Sequence, residues 1–140
     1  MKKTLYLAVL ALLVAAVTYF ARQPSETTVE DTVFSKLSGD RMTAIEYYNL
    51  DRSVHRVITD PNEIDRIIQT LADVTMKADN DMDTPGDKLY SLYIEMDDKR
   101  RAGIDFYSRY LTVYTDEDIK DKLRSYRITS ELDIANILAQ

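Results

Sequence analysis

Asp79, Asp81 and Asp83 alternate along the chain, and Asp87 is the ninth position counted from Asp79. Carboxylates two residues apart can converge on one hard cation, and this is the spacing of the first half of a calcium loop. Thr84 stands where such a loop carries its turn glycine, and Tyr90 where it carries a bidentate Glu. The other reading is a solvated acidic loop. The departures favour the solvated loop and no cofactor, and leave a weak calcium site at Asp79, Asp81, Asp83 and Asp87 as the competing reading. The single His, His55, lies between Val54 and Arg56. A general base needs a substrate proton or a nucleophile within hydrogen-bond reach, and no such partner is legible. His55 reads as a half-exposed strand residue. Glu95 and Asp105 could lie across neighbouring strands, but 24 acidic residues produce such pairs by chance. No catalytic residue is assigned, and the chain is expected not to be an enzyme.

Tyrosine offers different chemistry. Of ten Tyr, eight lie beyond residue 22. By alternation, Tyr93 and Tyr107 fall opposite the faces carrying Leu92-Ile94 and Ile104-Phe106. Tyr110 and Tyr114 fall opposite Leu111 and Val113. If the apolar faces form the core, these four rings share the outer face of a sheet. Tyr combines a large contact area with a polar tip, which suits recognition of a protein or a sugar. The alternative is that Tyr is simply a favourable strand residue. Lys99-Arg100-Arg101 reads as a solvated hairpin tip.

These residues need elements to position them. Met42–Leu50 and Ser53–Thr59 are rich in β-branched and aromatic residues and predict a strand pair. Asn49 and Asp51-Arg52 supply the turn between them. Asp60 is a helix N-cap, Pro61 suits the first helical position and Glu63 completes a capping box. Ile64, Ile67, Ile68, Leu71 and Val74 recur on one face, so a helix should run from Pro61 to about Val74. Residues 75–88 read as a polar loop. Leu89–Met96, Ala102–Tyr107 and Arg109–Thr115 alternate as an antiparallel meander. Asp116–Leu123 could hold a helical turn. Tyr126–Thr129 is a last strand, and Ser130 should cap a closing helix that buries Ile134, Ile137 and Leu138.

Composition narrows the class. The chain has 140 residues and a net charge of −6, with 18 basic and 24 acidic residues. Lys2, Lys3 and Arg22 are the only charges in the first 22 positions, so the remainder carries a net of −9. That opposes nucleic-acid binding, which needs a basic face. The absence of Cys removes disulfides, thiolate metal sites and thiol nucleophiles. Three Gly cannot build a phosphate-cradling loop. Residues 4–21 are uncharged and apolar, and they read as a membrane anchor or a cleaved signal peptide. Lys2 and Lys3 would hold the start in the cytoplasm and place the rest outside, or secrete it if the segment is cleaved. Residues 23–40 read as a linker, and 41–140 as one domain.

The order ITDPNEIDRIIQTL, a DTP in a polar loop, LYSLYIEM, GIDFYSRYLTVY and YRITSELDIANIL resembles a domain-of-unknown-function family. Its members are small extracytoplasmic proteins of Gram-positive Firmicutes, anchored or lipid-modified. Ile58-Thr59-Asp60, Asp83-Thr84-Pro85, Tyr126 and Glu131-Leu132 carry the resemblance, and Thr115–Arg124 is more charged than the family pattern. The resemblance implies an outward-facing tethered domain and supplies no activity. The expected architecture is α+β: an N-terminal transmembrane helix, then an antiparallel sheet packed against one or two helices. The expected function is a binding or regulatory module of the cell envelope with a protein partner on Tyr93, Tyr107, Tyr110 and Tyr114. The alternative is an ion- or small-ligand-sensing domain using loop 79–87.

Overall fold

Alternating apolar and polar residues close into one sheet. The structure, a computed structural model, describes residues 2–37, 41–51, 53–79, 86–115 and 123–139. Eight strands lie among them: β1 (Glu26–Thr28), β2 (Met42–Asn49), β3 (His55–Ile58), β4 (Thr75–Ala78), β5 (Tyr90–Met96), β6 (Lys99–Phe106), β7 (Tyr110–Thr115) and β8 (Arg124–Ile128). The spatial order is β1-β4-β8-β7-β6-β5-β2-β3, and each pairing is antiparallel. The helices are α1 (Lys2–Arg22), α2 (Val29–Thr32), α3 (Pro61–Ala72) and α4 (Ile134–Ala139), with a 3-10 turn at Phe34–Leu37.

Strand period two sends Ile45, Tyr47, Leu92, Ile94, Ile104, Phe106, Leu111 and Val113 to one face, where they are buried. Ile64, Ile67 and Leu71 of α3 cover that face. The chain leaves β3 at one sheet edge and returns as β4 near the other. The connecting helix must cross the inner face, which is why it carries an apolar stripe. Asp60 starts it by accepting from the backbone N–H groups of Asn62 and Glu63 at 2.9 and 3.1 Å. Glu63 does not close a capping box with its side chain, which instead meets Arg56 on β3 at 2.8 Å. The Tyr47 hydroxyl donates to the Leu138 carbonyl at 2.6 Å and ties α4 to the sheet.

The expected fold class is corrected. The domain is an antiparallel eight-stranded sheet with few helices, not an α+β domain behind a membrane span. Two strands escaped the sequence. β4 falls inside the stretch read as a polar loop, because a four-residue strand needs only Met76 facing inward. β1 falls inside the stretch read as a linker, where Val29 and Val33 are fully buried. The transmembrane helix is corrected too. Among the described residues no helix is long and apolar enough to cross a membrane, so the single-pass anchor through residues 4–21 falls. The closing helix begins later than expected. Asp133 accepts from the Asn136 N–H at 3.1 Å, while the Ser130 hydroxyl accepts from the Thr75 N–H of β4. The helical turn expected within Asp116–Leu123 lies almost wholly outside the described residues.

Candidate functional site

The outer face of the sheet carries the chemistry. Its central row runs Glu46 (β2), Tyr93 (β5), Gly103 (β6) and Tyr114 (β7), each opposite the next. Beside it runs a row through His55 (β3), Tyr48 (β2), Ser91 (β5) and Asp105 (β6). Gly103 explains how the first row packs. A Cβ at Gly103 would lie 2.0 Å from Cζ of Tyr114. The Tyr114 ring therefore lies flat on the sheet in the space a side chain would fill, and a strand glycine marks such a close approach. From there it reaches Tyr93, with ring centroids 6.0 Å apart. Tyr93 meets Tyr48 at 5.6 Å, and their hydroxyls lie 2.8 Å apart. Tyr48 meets the His55 ring edge-on at 6.3 Å. The result is an aromatic row across four strands.

A charged cluster frames that row. The Glu46 carboxylate pairs with Arg100 through one oxygen and bonds His55 Nε2 at 2.8 Å through the other. The Arg100 guanidinium lies over the Tyr93 ring, 4.3 Å from its centroid, within cation–π range. A β-bulge puts it there. The pairing slips between Ile94 and Glu95, which face Ala102 and Arg100, so Arg101 is an extra residue on β6. Strict alternation from the buried Ala102 would send Arg100 inward; the extra residue turns it outward. Burial pushes the Glu46 carboxyl up, but the bonds from His55 and Arg100 outweigh it and hold the group below its ordinary value. Burial, then the hydrogen bond with Tyr93 and nearby charges, pushes the Tyr114 phenol above its ordinary value. Glu46, Tyr48, His55 and Arg100 line an open cleft of about 360 Å³.

A second cluster lies on the same face. The buried Ser91 hydroxyl donates to Asp105 at 2.6 Å, and Lys88 Nζ meets the other carboxylate oxygen at 2.9 Å. Burial pulls the Lys88 ammonium down, but the bond and charge of Asp105 outweigh it and keep it above its ordinary value. A lysine held protonated is a cation, not a base. The His55 Nε2 is committed to Glu46 rather than to a hydroxyl. The arrangement offers donors and acceptors on an aromatic floor.

The sequence-predicted residues divide. Tyr93 and Tyr114 come together at the centre of the face. Tyr110 turns instead to Arg127 on β8, whose guanidinium lies 5.6 Å from its ring centroid. Tyr107 sits at the β6–β7 turn, where its N–H donates to the Tyr110 carbonyl. Glu95 stands opposite Arg100 and Asp105 opposite Ser91, so the two carboxylates occupy different rows. Of the calcium set, Asp79 bonds Arg127 at 2.9 Å and Asp87 is exposed, while Asp81 and Asp83 lie outside the described residues. A guanidinium already engages one of the four carboxylates. Among the described residues no group of three or more His, Asp or Glu is placed to hold a metal. Sequence reasoning missed Glu46, Tyr48 and Arg100, and it set His55 aside. The glycine inside the predicted strand Ala102–Tyr107 was the signal that marked the centre of this face.

No protein-family model matches the chain, and no curated protein matches it. Among solved structures it is similar to the crystal structure of a candidate lipoprotein from Clostridium perfringens, with 16% sequence identity and a TM-score of 0.53. The match covers 82% of this chain and 93% of that one. At that identity the likeness shows a shared fold.

Proposed function

We propose that the chain is an outward-facing binding module of the cell envelope that works without catalysis, through the outer face of its sheet. The observation that carries this reading is the flat Tyr114 ring on Gly103, joined to Tyr93 and Tyr48 and framed by Glu46, His55 and Arg100. Half-buried Tyr held in fixed positions loses little further side-chain freedom on binding, and rigid aromatic anchors of this kind dominate recognition surfaces. The envelope location is supported by the fold shared with the Clostridium perfringens candidate lipoprotein. The absence of Cys means that a thioether-linked lipid has no attachment point within this sequence.

The test is photo-crosslinking in intact native cells. A photoreactive residue at Val57, exposed on the outer face beside Glu46, should give a discrete adduct. The same residue at Gln69, exposed on α3, should not. Tyr93→Ser with Tyr114→Ser should abolish the Val57 adduct. Equal adducts from both positions, or an adduct that survives the double substitution, would overturn the reading.

A further inference from the structure

We propose that the outer face from the Tyr114 ring, through Tyr93, to the cleft lined by Glu46, Tyr48, His55 and Arg100 is a subsite for a neutral saccharide. This rests on the outer face being the binding surface and goes further by naming the ligand chemistry. A pyranose ring has an apolar C–H face and a rim of hydroxyls that both donate and accept. Its receptor needs a flat apolar platform with mixed polar groups at the edge. The Tyr114 ring lies against the Gly103 backbone on one side, so its other face points away from the sheet. Few side chains in a sheet can lie so flat, because the Cβ of the cross-strand neighbour normally lifts the ring.

The edge supplies both kinds of polar group. Arg100 carries five N–H donors and no acceptor; its side chain is 53% exposed, and it bonds Glu46 through Nη2. The His55 ring, 55% exposed, offers its second nitrogen. The hydroxyls of Tyr48 and Tyr93 lie 2.8 Å apart and hold the aromatic floor in place.

Charge balance argues against an ionic ligand. Glu46 offsets Arg100, and Asp105 offsets Lys88. An incoming anion would meet two carboxylates. An incoming cation would find its seat over Tyr93 already filled by Arg100. A neutral polyhydroxyl ligand meets neither electrostatic penalty. A cleft of about 360 Å³ is at the small end of ligand sites, which suits one or two sugar rings of a longer chain.

The experiment uses the full chain and a β-1,4-linked tetramer of N-acetylglucosamine, with cellotetraose as the second probe. Ligand-observed saturation-transfer NMR and calorimetry should report saturable binding to at least one tetramer. Raising NaCl from 0.05 to roughly 0.5 M should leave the affinity within about twofold, because screening acts on charges. Arg100→Gln and Tyr114→Ser should each weaken binding by about tenfold or more, while thermal melts establish that both variants fold. No binding of either tetramer at millimolar concentration would overturn the proposal, as would binding unchanged in both variants. Displacement by inorganic phosphate would also overturn it in favour of an anion site. If the tetramers fail while the Val57 adduct in cells is still lost on changing Tyr93 and Tyr114, the ligand class is wrong and the binding face stands.

Discussion

Gly103 decides how the outer face is built. Gly103→Ala should force the Tyr114 ring off the sheet, since the new Cβ would fall 2.0 Å from Cζ. Overpacking of this kind costs about 1–3 kcal/mol. Urea denaturation should register that loss, and the ring resonances of Tyr114 should move. Unchanged stability would mean that the ring does not rest on Gly103. Glu46 gives a second prediction at this scale. Its pKa is depressed in the folded chain from an ordinary 4.5, so its contribution is present above that value and is lost as pH falls through the folded pKa. Glu46→Gln should therefore cost about 1 kcal/mol at pH 7, and the difference from the parent should shrink steadily below pH 4.5. A difference that grows on acidification would contradict the assignment of Arg100 and His55 as the groups that hold Glu46 charged. The sequence made Tyr93 and Tyr114 visible through alternation. It hid Arg100, because a bulge reverses alternation and leaves no mark in residue type.

Turns and caps fix the register that brings these residues together. The β5–β6 hairpin turns through Asp97 and Asp98, whose φ angles are 50° and 61°. Two consecutive positive φ values are the signature of a type I′ turn, where Asp-Gly is favoured. Asp98→Gly should raise stability by about 0.5–1 kcal/mol and leave the register of Met96 with Lys99 intact. A fall in the thermal midpoint would show that the Asp98 side chain supports the turn. Asp60→Ala should cost about 1 kcal/mol by releasing the Asn62 and Glu63 N–H groups. The start and the stripe of α3 were legible, since Asp60, Pro61, Ile64, Ile67 and Leu71 agree. The helix stops at Ala72, short of Val74, and Glu63 turns to Arg56 instead of closing a capping box. The β2–β3 turn was legible too: Asn49 Oδ1 accepts from the Val54 N–H at 3.0 Å, and Asp51 Oδ1 from Ser53 at 2.9 Å. β1 and β4 were not, because neither carries the apolar β-branched pair, Val57-Ile58, that marked the comparably short β3. Their partners lie far off in sequence: β4 sits between β1 and β8, and only tertiary pairing makes it a strand.

For the molecule as a whole, the first described strand and α2 belong to the core. Val29 and Val33 are fully buried, and Phe34 nearly so. A chain spanning 24–140 should unfold in one cooperative step. One spanning 41–140 loses those three side chains and the β1–β4 pairing, and at about 2–5 kcal/mol per large buried side chain it should lose cooperative unfolding. Two chains with the same midpoint would return residues 23–40 to the status of a linker. The eight-stranded sheet thus divides its work. One face is closed by α2, α3 and α4, and the other is left with an aromatic row and compensated charges. Composition shows an acidic balance and no Cys, but it could not show which outer-face residues meet, because that depends on a strand order that is not the chain order.

The most direct test of the outer face as the binding surface follows the Gly103 amide by NMR. With three Gly in the chain, that resonance is readily assigned. The full chain is titrated with a solubilised envelope fraction from native cells. Binding through this face should shift Gly103 and the backbone amides of Tyr48, Tyr93 and Tyr114, and leave the α3 amides unmoved. Shifts gathered on α3, or a Gly103 amide that stays in place while others move, would contradict the account.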